Sequence, residues 1–490
     1  MRLALQRLLL AAMASVSLAA CGAQDEQALD VAVIGDRAPE LVDPSTVPLS
    51  RPSEVLLSNV AQGLVQFDAR GQIEPGVAER WNVSNDGLSY IFRIAADWPD
   101  GRPVNAREVA RILNRQLRSS SRNPLKDSLG AVSEIVAMTD RVIEVRLRAP
   151  RPNLLQLLAQ PELAIVRQGH GTGPFRPAAR QDAPAALELT QTIEIIDDKD
   201  QVEHVQLRHA EAARAIDRFQ TGKSALVLGG TFADLPLVSR RDRNLRNALR
   251  FDPVAGLFGL VPARSGGPLA DRQLRDLLNR TIDREALIEA LDVPNLVPRT
   301  TLMQGGLEGG ANPIAPAWAA IPLPERRALA AGEARSAVSE EENLKLGIAL
   351  PEGPGADILF ARLAADWRTL GVELVRAGKG VPADLKLIDE VAPSSSPAWF
   401  VRNFRCGVAA LCSKDADALM DSARDAMIAI QRAAMLAEAG RLIDEEVLFL
   451  PIAAPIRWSL VADGLPGFAE NIFARHPLSG LRDPPGRERQ

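Results

Sequence analysis

The sequence predicts an α/β protein of more than one lobe, and three observations predict it. At 490 residues the chain is too long to fold around one hydrophobic core. Between 344 and 376, LKLGIAL, DILFARLAADWRTL and GVELV read as strand, helix and strand, the alternation that builds a mainly parallel sheet. Near Phe251 the texture changes, and turn-rich polar sequence gives way to the apolar, extended FDPVAGLFGLVP.

The first element is a leader. Arg2 and Arg7 precede an apolar run from Leu8 to Ala20, and Cys21 follows directly. The run is shorter than the roughly 18 residues that span a bilayer, and it has the layout of a secretion signal. Leu18-Ala19-Ala20-Cys21 resembles the bacterial lipoprotein signal, which is cut before the cysteine that then carries lipid. A plain signal peptide cut nearby is the alternative. No other stretch is apolar enough to predict a membrane helix.

LDVAVI, at 29–34, reads as a strand, and the proline-rich stretch 37–54 as an irregular connection. Ser53 is expected to cap a helix through VLLSNVAQGL. In IEPGVAERWNVSNDGLSYIFRI, at 73–94, two runs of strand formers flank the turn cluster Ser84-Asn85-Asp86-Gly87, a hairpin signal. A second turn, Pro99-Asp100-Gly101, follows. Asn105, with Glu108 three residues on, marks the start of the helix REVARILNRQL. DRVIEVRL alternates as a strand with one wet face. ARAIDRFQTGKSALVL reads as a helix, a stop at Gly222 and a strand.

Beyond Phe251, LADRQLRDLLNRTIDREALIEAL predicts an amphipathic helix pair broken near Asp283. Residues 415–439 are largely helical, with Gly440 expected just after the helix. EEVLFLPIAAPIRWSLVA reads as a strand pair interrupted by prolines, and the tail RDPPGRERQ as disordered.

Charge and motifs exclude several functions. Basic residues number 57 and acidic residues 62, a formal net charge of −5. That balance is mild for the length and points to neither nucleic acid nor an anionic membrane surface. Aromatics are 4% of the chain, with Tyr90 the single tyrosine, too sparse for a base-stacking surface. GxSxG, HExxH and GxxxxGK[ST] are absent. His204 and His209, five apart, would not share a helix face, and His170 and His476 stand alone. No metal or cofactor is therefore expected. Gly169-His170-Gly171-Thr172-Gly173 reads as a turn, and Asp197-Asp198 and Glu445-Glu446 as solvated faces. Without a catalytic constellation the chain is not read as an enzyme. Cys406 and Cys412, close together in an exported chain, suggest a disulfide, with two buried thiols as the alternative.

One stretch carries a family resemblance. AQGLVQFDARGQIEPGVAERWNVSNDGLSYIFRI followed by PDGRPVNAREVARILNR is similar to the family 5 extracytoplasmic solute-binding proteins, the peptide- and nickel-binding components of ABC importers. GTGPF at 171–175, AIDRFQTGKSAL, RQLRDLLNRTIDREALIEAL, LAADWRTLGVELV and DADALMDSARDA resemble further family segments in the family's order. The resemblance implies a two-lobed periplasmic-binding-protein type II fold, with an extra subdomain beside the first lobe and hinge-linked lobes closing on a cleft. It implies a signal peptide at 1–20, a tether at 21–28, lobe 1 at 29–55, 166–250 and 451–482, the extra subdomain at 56–165, lobe 2 at 251–450 and a tail at 483–490. The hairpin is then scaffold. The implied partners are an oligopeptide or other small ligand, the permease subunits of an ABC transporter, and a membrane held through the lipid on Cys21. The protein is expected to be a monomer in the periplasm or cell envelope. A sensor or chaperone-like envelope protein on the same fold is the alternative.

The pattern departs from the family in one place. Peptide-binding members carry an aspartate that fixes the peptide's α-amino group. In ADLKLIDEVAPSSSPAWFV that position falls on Pro393, which offers neither charge nor N–H. Asp389 or Glu390 could take over the anchor. Glu390, Trp399 and Arg402 are the main contact candidates in this loop, with Asp389 beside them and Phe175 from the GTGPF segment.

Overall fold

The computed structural model describes residues 28–178, 186–193, 200–310, 312–337, 344–378 and 380–482. The leader 1–20, Cys21, the tether up to residue 27, the pair Asp197-Asp198 and the tail 483–490 lie outside the described residues.

Leu29–Ile34 lies at the centre of the first lobe's sheet, parallel to Gln201–Ala210 on one side and Leu226–Thr231 on the other. A strand covered on both faces needs apolar side chains on both, which is why LDVAVI shows no alternation. Outside these three, Arg457–Val461 and Leu249–Phe251 extend one edge, and Leu187–Ile193 and Arg176–Pro177 the other.

The second lobe's sheet runs in the order Val372–Arg376, Leu344–Ala349, Leu385–Val391, Gly256–Pro262, Leu450–Ala453. Helix Pro354–Arg368 makes the expected crossover between Leu344–Ala349 and the parallel Val372–Arg376. The expectation of a mainly parallel sheet needs correction, because Gly256–Pro262 pairs antiparallel with both its neighbours.

The extra subdomain is built on a four-stranded antiparallel sheet, with Ala78–Val83 and Ser89–Ile94 forming the hairpin and Val142–Leu147 and Val132–Thr139 completing it. Gly87 takes φ +68° at the turn, and its N–H donates to the Ser84 carbonyl at 2.8 Å. Tyr90, Phe92 and Ile94 alternate inward, and the Tyr90 hydroxyl donates to the Arg151 carbonyl at 2.9 Å. Helix Ala106–Gln116 is capped by the Asn105 side chain, which accepts the Arg107 N–H. Glu108 reaches outward to Arg167 instead of closing a capping box.

Several boundaries move. Ser50, not Ser53, caps the helix Arg51–Val60, because Pro52 fits the first turn, where no N–H is needed. Leu56 and Val60 of that helix pack on the first lobe's sheet, so lobe 1 runs past the expected boundary at 55. Pro451 to Ala453 still pair in the second lobe's sheet, so the return to lobe 1 falls between Ala453 and Arg457, not at 451. The helical stretch near 415–439 is two helices, Lys414–Asp425 and Ala429–Glu445. Gly440 lies inside the second of them, where a Cβ would meet Met303 at 3.0 Å.

On the hinge side the lobes share one apolar core, in which Phe232 and Phe258 meet at 4.9 Å between ring centres. Among the described residues no helix is long and apolar enough to cross a membrane.

One buried acid gives the fold a pH signature. Asp444 accepts the Leu302 N–H at 2.8 Å, and burial pushes its carboxyl up to about 7. In the unfolded chain it titrates near 3.9. A raised folded pKa contributes stability that is complete below that value and is lost as pH rises through about 7. Asp444→Asn keeps the accepting oxygen. It is expected to raise the melting temperature at pH 8 and flatten the profile between roughly pH 4 and 7. A profile with the wild-type slope would show that the carboxyl is already ionised in the fold.

Candidate ligand-binding cleft

A cavity of about 500 Å³ lies between the lobes. Helix Arg51–Val60 brings Arg51 and Glu54 to it from its first turn. Strand Arg457–Val461 brings Arg457 and Trp458, and the C-terminal segment brings Arg475 and His476. The second lobe contributes the end of strand Leu385–Val391, the loop after it and helix Pro397–Arg402.

Glycine makes one wall possible. A Cβ at Gly230 would sit 2.1 Å from the Trp458 ring, so only glycine lets that ring lie against the strand. The Trp458 indole N–H donates to the Thr231 carbonyl at 2.8 Å, which fixes the ring.

Most charges in the cleft are paired. The Arg457 guanidinium reaches the Asp389 carboxylate at 2.8 Å and its backbone carbonyl at 2.9 Å, joining the lobes. Arg475 pairs with Glu54 and, at 3.3 Å, with Glu162. The same guanidinium donates to the Gln160 side-chain oxygen at 3.2 Å, and the Gln160 amide donates to the Pro393 carbonyl at 2.8 Å. His476 meets Asp252 at 3.1 Å and stacks on Phe468.

Among the described residues Asp127 and Arg402 make no ion pair, and three further charges have a free end. Glu390 has no ion pair or side-chain hydrogen bond among the described residues, and its carboxyl is pushed up by the surrounding cleft walls and by Asp389 beside it. Glu162 uses one carboxylate oxygen on Arg475, and the other, buried, has no partner. Burial raises this carboxyl as well. Among the described residues Arg51 donates one bond, to the Gly229 carbonyl at 3.3 Å, and meets no carboxylate within ion-pair distance. Burial lowers its pKa, and the guanidinium of Arg457 adds to that. The cleft therefore offers acceptors for an ammonium group and a donor for a carboxylate.

Asp389, Glu390, Trp399 and Arg402 line this cavity. Phe175 does not. Its side chain is fully buried in the core of the first lobe among Leu56, Leu189 and Leu207, and its N–H donates to the Asn59 carbonyl. In the short GTGPF segment Gly171 and Gly173 lie so close to the backbone of residues 59–61 that a Cβ at either would clash. Trp399 is mostly packed edge-on against Phe400, at 5.0 Å between ring centres. Asp389 is engaged by Arg457, so Glu390 is the freer of the adjacent acids.

Pro393 acts through its carbonyl, as the acceptor from Gln160. Its neighbours tie the same loop to the extra subdomain. Asn153 donates to the Ser394 hydroxyl at 2.9 Å, and the Ser395 N–H donates to Gln156 at 2.9 Å. The lobes are thus drawn together across the cleft. Cys406 and Cys412 are joined in a disulfide, with Cα atoms 5.1 Å apart, and close a small loop beyond helix Pro397–Arg402. Among the described residues no group of His, Cys, Asp or Glu is arranged to hold a metal ion.

Sequence reasoning missed Arg51, Glu54, Glu162, Arg457 and Arg475. Only Arg457 carries a local signal, a charge within the otherwise apolar IAAPIRWSLVA, which calls for a buried partner.

Comparison with known proteins matches residues 72–373 to the bacterial extracellular solute-binding proteins, family 5 middle region. A probable di/tripeptide-binding protein 5 of Pseudomonas aeruginosa is 24% identical, over 93% of this chain and 96% of its own length. The crystal structure of Haemophilus influenzae OppA in complex with RPPGFSPFR superposes with a TM-score of 0.79 at 16% identity, covering 93% of this chain and 98% of that one. The Escherichia coli murein tripeptide binding protein MppA gives a TM-score of 0.78 at 18% identity, covering 92% and 97%.

Proposed function

The chain belongs to the bacterial extracellular solute-binding proteins of family 5, and on that premise we propose that it captures a peptide or similar small solute and delivers it to the permease of an ABC transporter. The observation that carries this reading is the interlobe cavity in which Glu390 and Arg51, opposite in charge, both lack a counter-ion among the described residues. A ligand with a free amino group and a carboxylate would satisfy both. The OppA structure solved with a peptide and the relative named for di- and tripeptides support that class. The ligand would be held without turnover. Contacts made only when the lobes meet would shift the open–closed equilibrium towards the closed form.

The reading includes a lipid anchor at Cys21 and work outside the cytoplasmic membrane. Cys21→Ser is expected to move the protein from the membrane fraction to the soluble one. Unchanged partition would remove the anchor from the reading.

The direct test is a thermal-shift screen of the form starting at Gly22. The panel holds di- to hexapeptides with free and acetylated N-termini, nickel chelates, oligosaccharides and opine-like compounds. A ligand at about 100 times its Kd stabilises by about 2.7 kcal/mol, so a hit is readable without a mechanism. Shifts with free-amine peptides are expected. Shifts only with blocked or non-peptide compounds would overturn the Glu390 anchor, and silence throughout would overturn solute capture.

A further inference from the structure

A second cavity, of about 600 Å³, lies between the extra subdomain and the second lobe. That is an ordinary ligand-pocket size, within the range of about 300–1,000 Å³. It meets the interlobe cleft across Asp127, Arg402 and Val408, which line both. Seven lysine and arginine side chains line it, against two carboxylates, Asp127 and Glu308. The interlobe cleft has the opposite bias, with six carboxylates against four arginines.

Most of these cations are not neutralised. Lys126 donates only to the Ser119 and Ser121 carbonyls, and Arg148 only to the Gly130 carbonyl. Arg151 donates to the carbonyls of Pro150 and Arg424, and Arg402 to the Ser128 hydroxyl. Among the described residues none of these four has a carboxylate within ion-pair distance. Arg432 is buried, stands 4.0 Å from Glu308, and has one guanidinium nitrogen without any partner. Burial lowers the pKa of Arg151 to about 10, and the nearby charge of Arg432 adds to that. Gathering uncompensated cations between low-dielectric walls is unfavourable until an anion enters.

We propose that this second cavity receives the anionic part of the ligand, so that the protein selects solutes carrying an ammonium group at one end and several carboxylates or phosphates at the other. The inference rests on the solute-capture reading. The two cavities form one site with a charge gradient, which sets the ligand's direction. The amino end faces Glu390 and the acidic end passes Arg402 towards Arg148 and Arg151.

The test is calorimetric binding of the matched peptides Ala-Ala-Glu-Glu and Ala-Ala-Gln-Gln, with tricarballylate as an amine-free probe. Wild type is expected to bind the acidic peptide about tenfold or more tightly than its neutral isostere, with the difference shrinking as salt is added. Lys126→Gln with Arg148→Gln should abolish that difference. The wild-type comparison and its salt dependence stand even if the double variant folds poorly. Equal affinity of the two peptides would overturn the inference and leave peptide capture intact. Binding of tricarballylate alone, lost in the double variant, would overturn peptide capture and support the anion cavity. No binding by any probe would overturn both.

Discussion

Arg457→Ala is expected to destabilise the protein by about 3–5 kcal/mol, the usual cost of removing one partner of a buried ion pair. The guanidinium is 8% exposed and the Asp389 carboxylate 15%, and the pair bridges a strand of each lobe. Losing the arginine leaves Asp389 charged in the cleft wall and frees a carbonyl that had accepted a second bond. The loss can be separated from mere truncation. Replacing both partners by apolar residues, Arg457→Met with Asp389→Leu, removes the charges together and should recover most of the stability. Melting of the wild type, both single variants and the double variant closes the cycle. An Arg457 variant as stable as wild type would mean that Arg51, which feels the Asp389 charge, takes over the pairing.

The pair also shows why the site was only partly legible in the sequence. Features set by neighbours in the chain could be read. The hairpin turn at Gly87, the cap at Asn105, the break at Asp283 and the stop at Gly222 depend on a few adjacent residues, and each stands where expected. The cleft depends on segments far apart. Glu54 and Glu162 meet Arg475 at one point although they stand 421 and 313 positions from it. Nothing near any of them announces the partner. Phe175 failed for a similar reason, since its place in the core is decided by close glycine contacts with residues 59–61. Gly440 misled because a helix interior rarely favours glycine, and here the reason is Met303, far away in sequence. Asp389 and Glu390 were candidates by family likeness, and what the structure adds is the division between them. One is engaged with Arg457 and the other is free.

Glu390→Gln follows from that division. It is expected to weaken binding of free-amine peptides by about 2–4 kcal/mol, roughly 30- to 700-fold, because it removes the charge facing a desolvated ammonium. N-acetylated peptides, which bring no ammonium, should lose little. The pH dependence gives the mechanism a second readout. The Glu390 carboxyl is held above its ordinary range by the cleft walls and by Asp389. An ammonium ligand prefers it ionised, so binding lowers its pKa and releases a proton wherever the free protein still holds one. Affinity for free-amine peptides should therefore fall as pH drops through the raised pKa of the empty site. Glu390→Gln should flatten this profile, and acetylated peptides should never show it. Titrations in buffers of different ionisation heat would count the released protons directly. Full affinity with an unchanged pH profile in Glu390→Gln would move the anchor to the unpartnered oxygen of Glu162, which lies in the same cavity beneath Arg475.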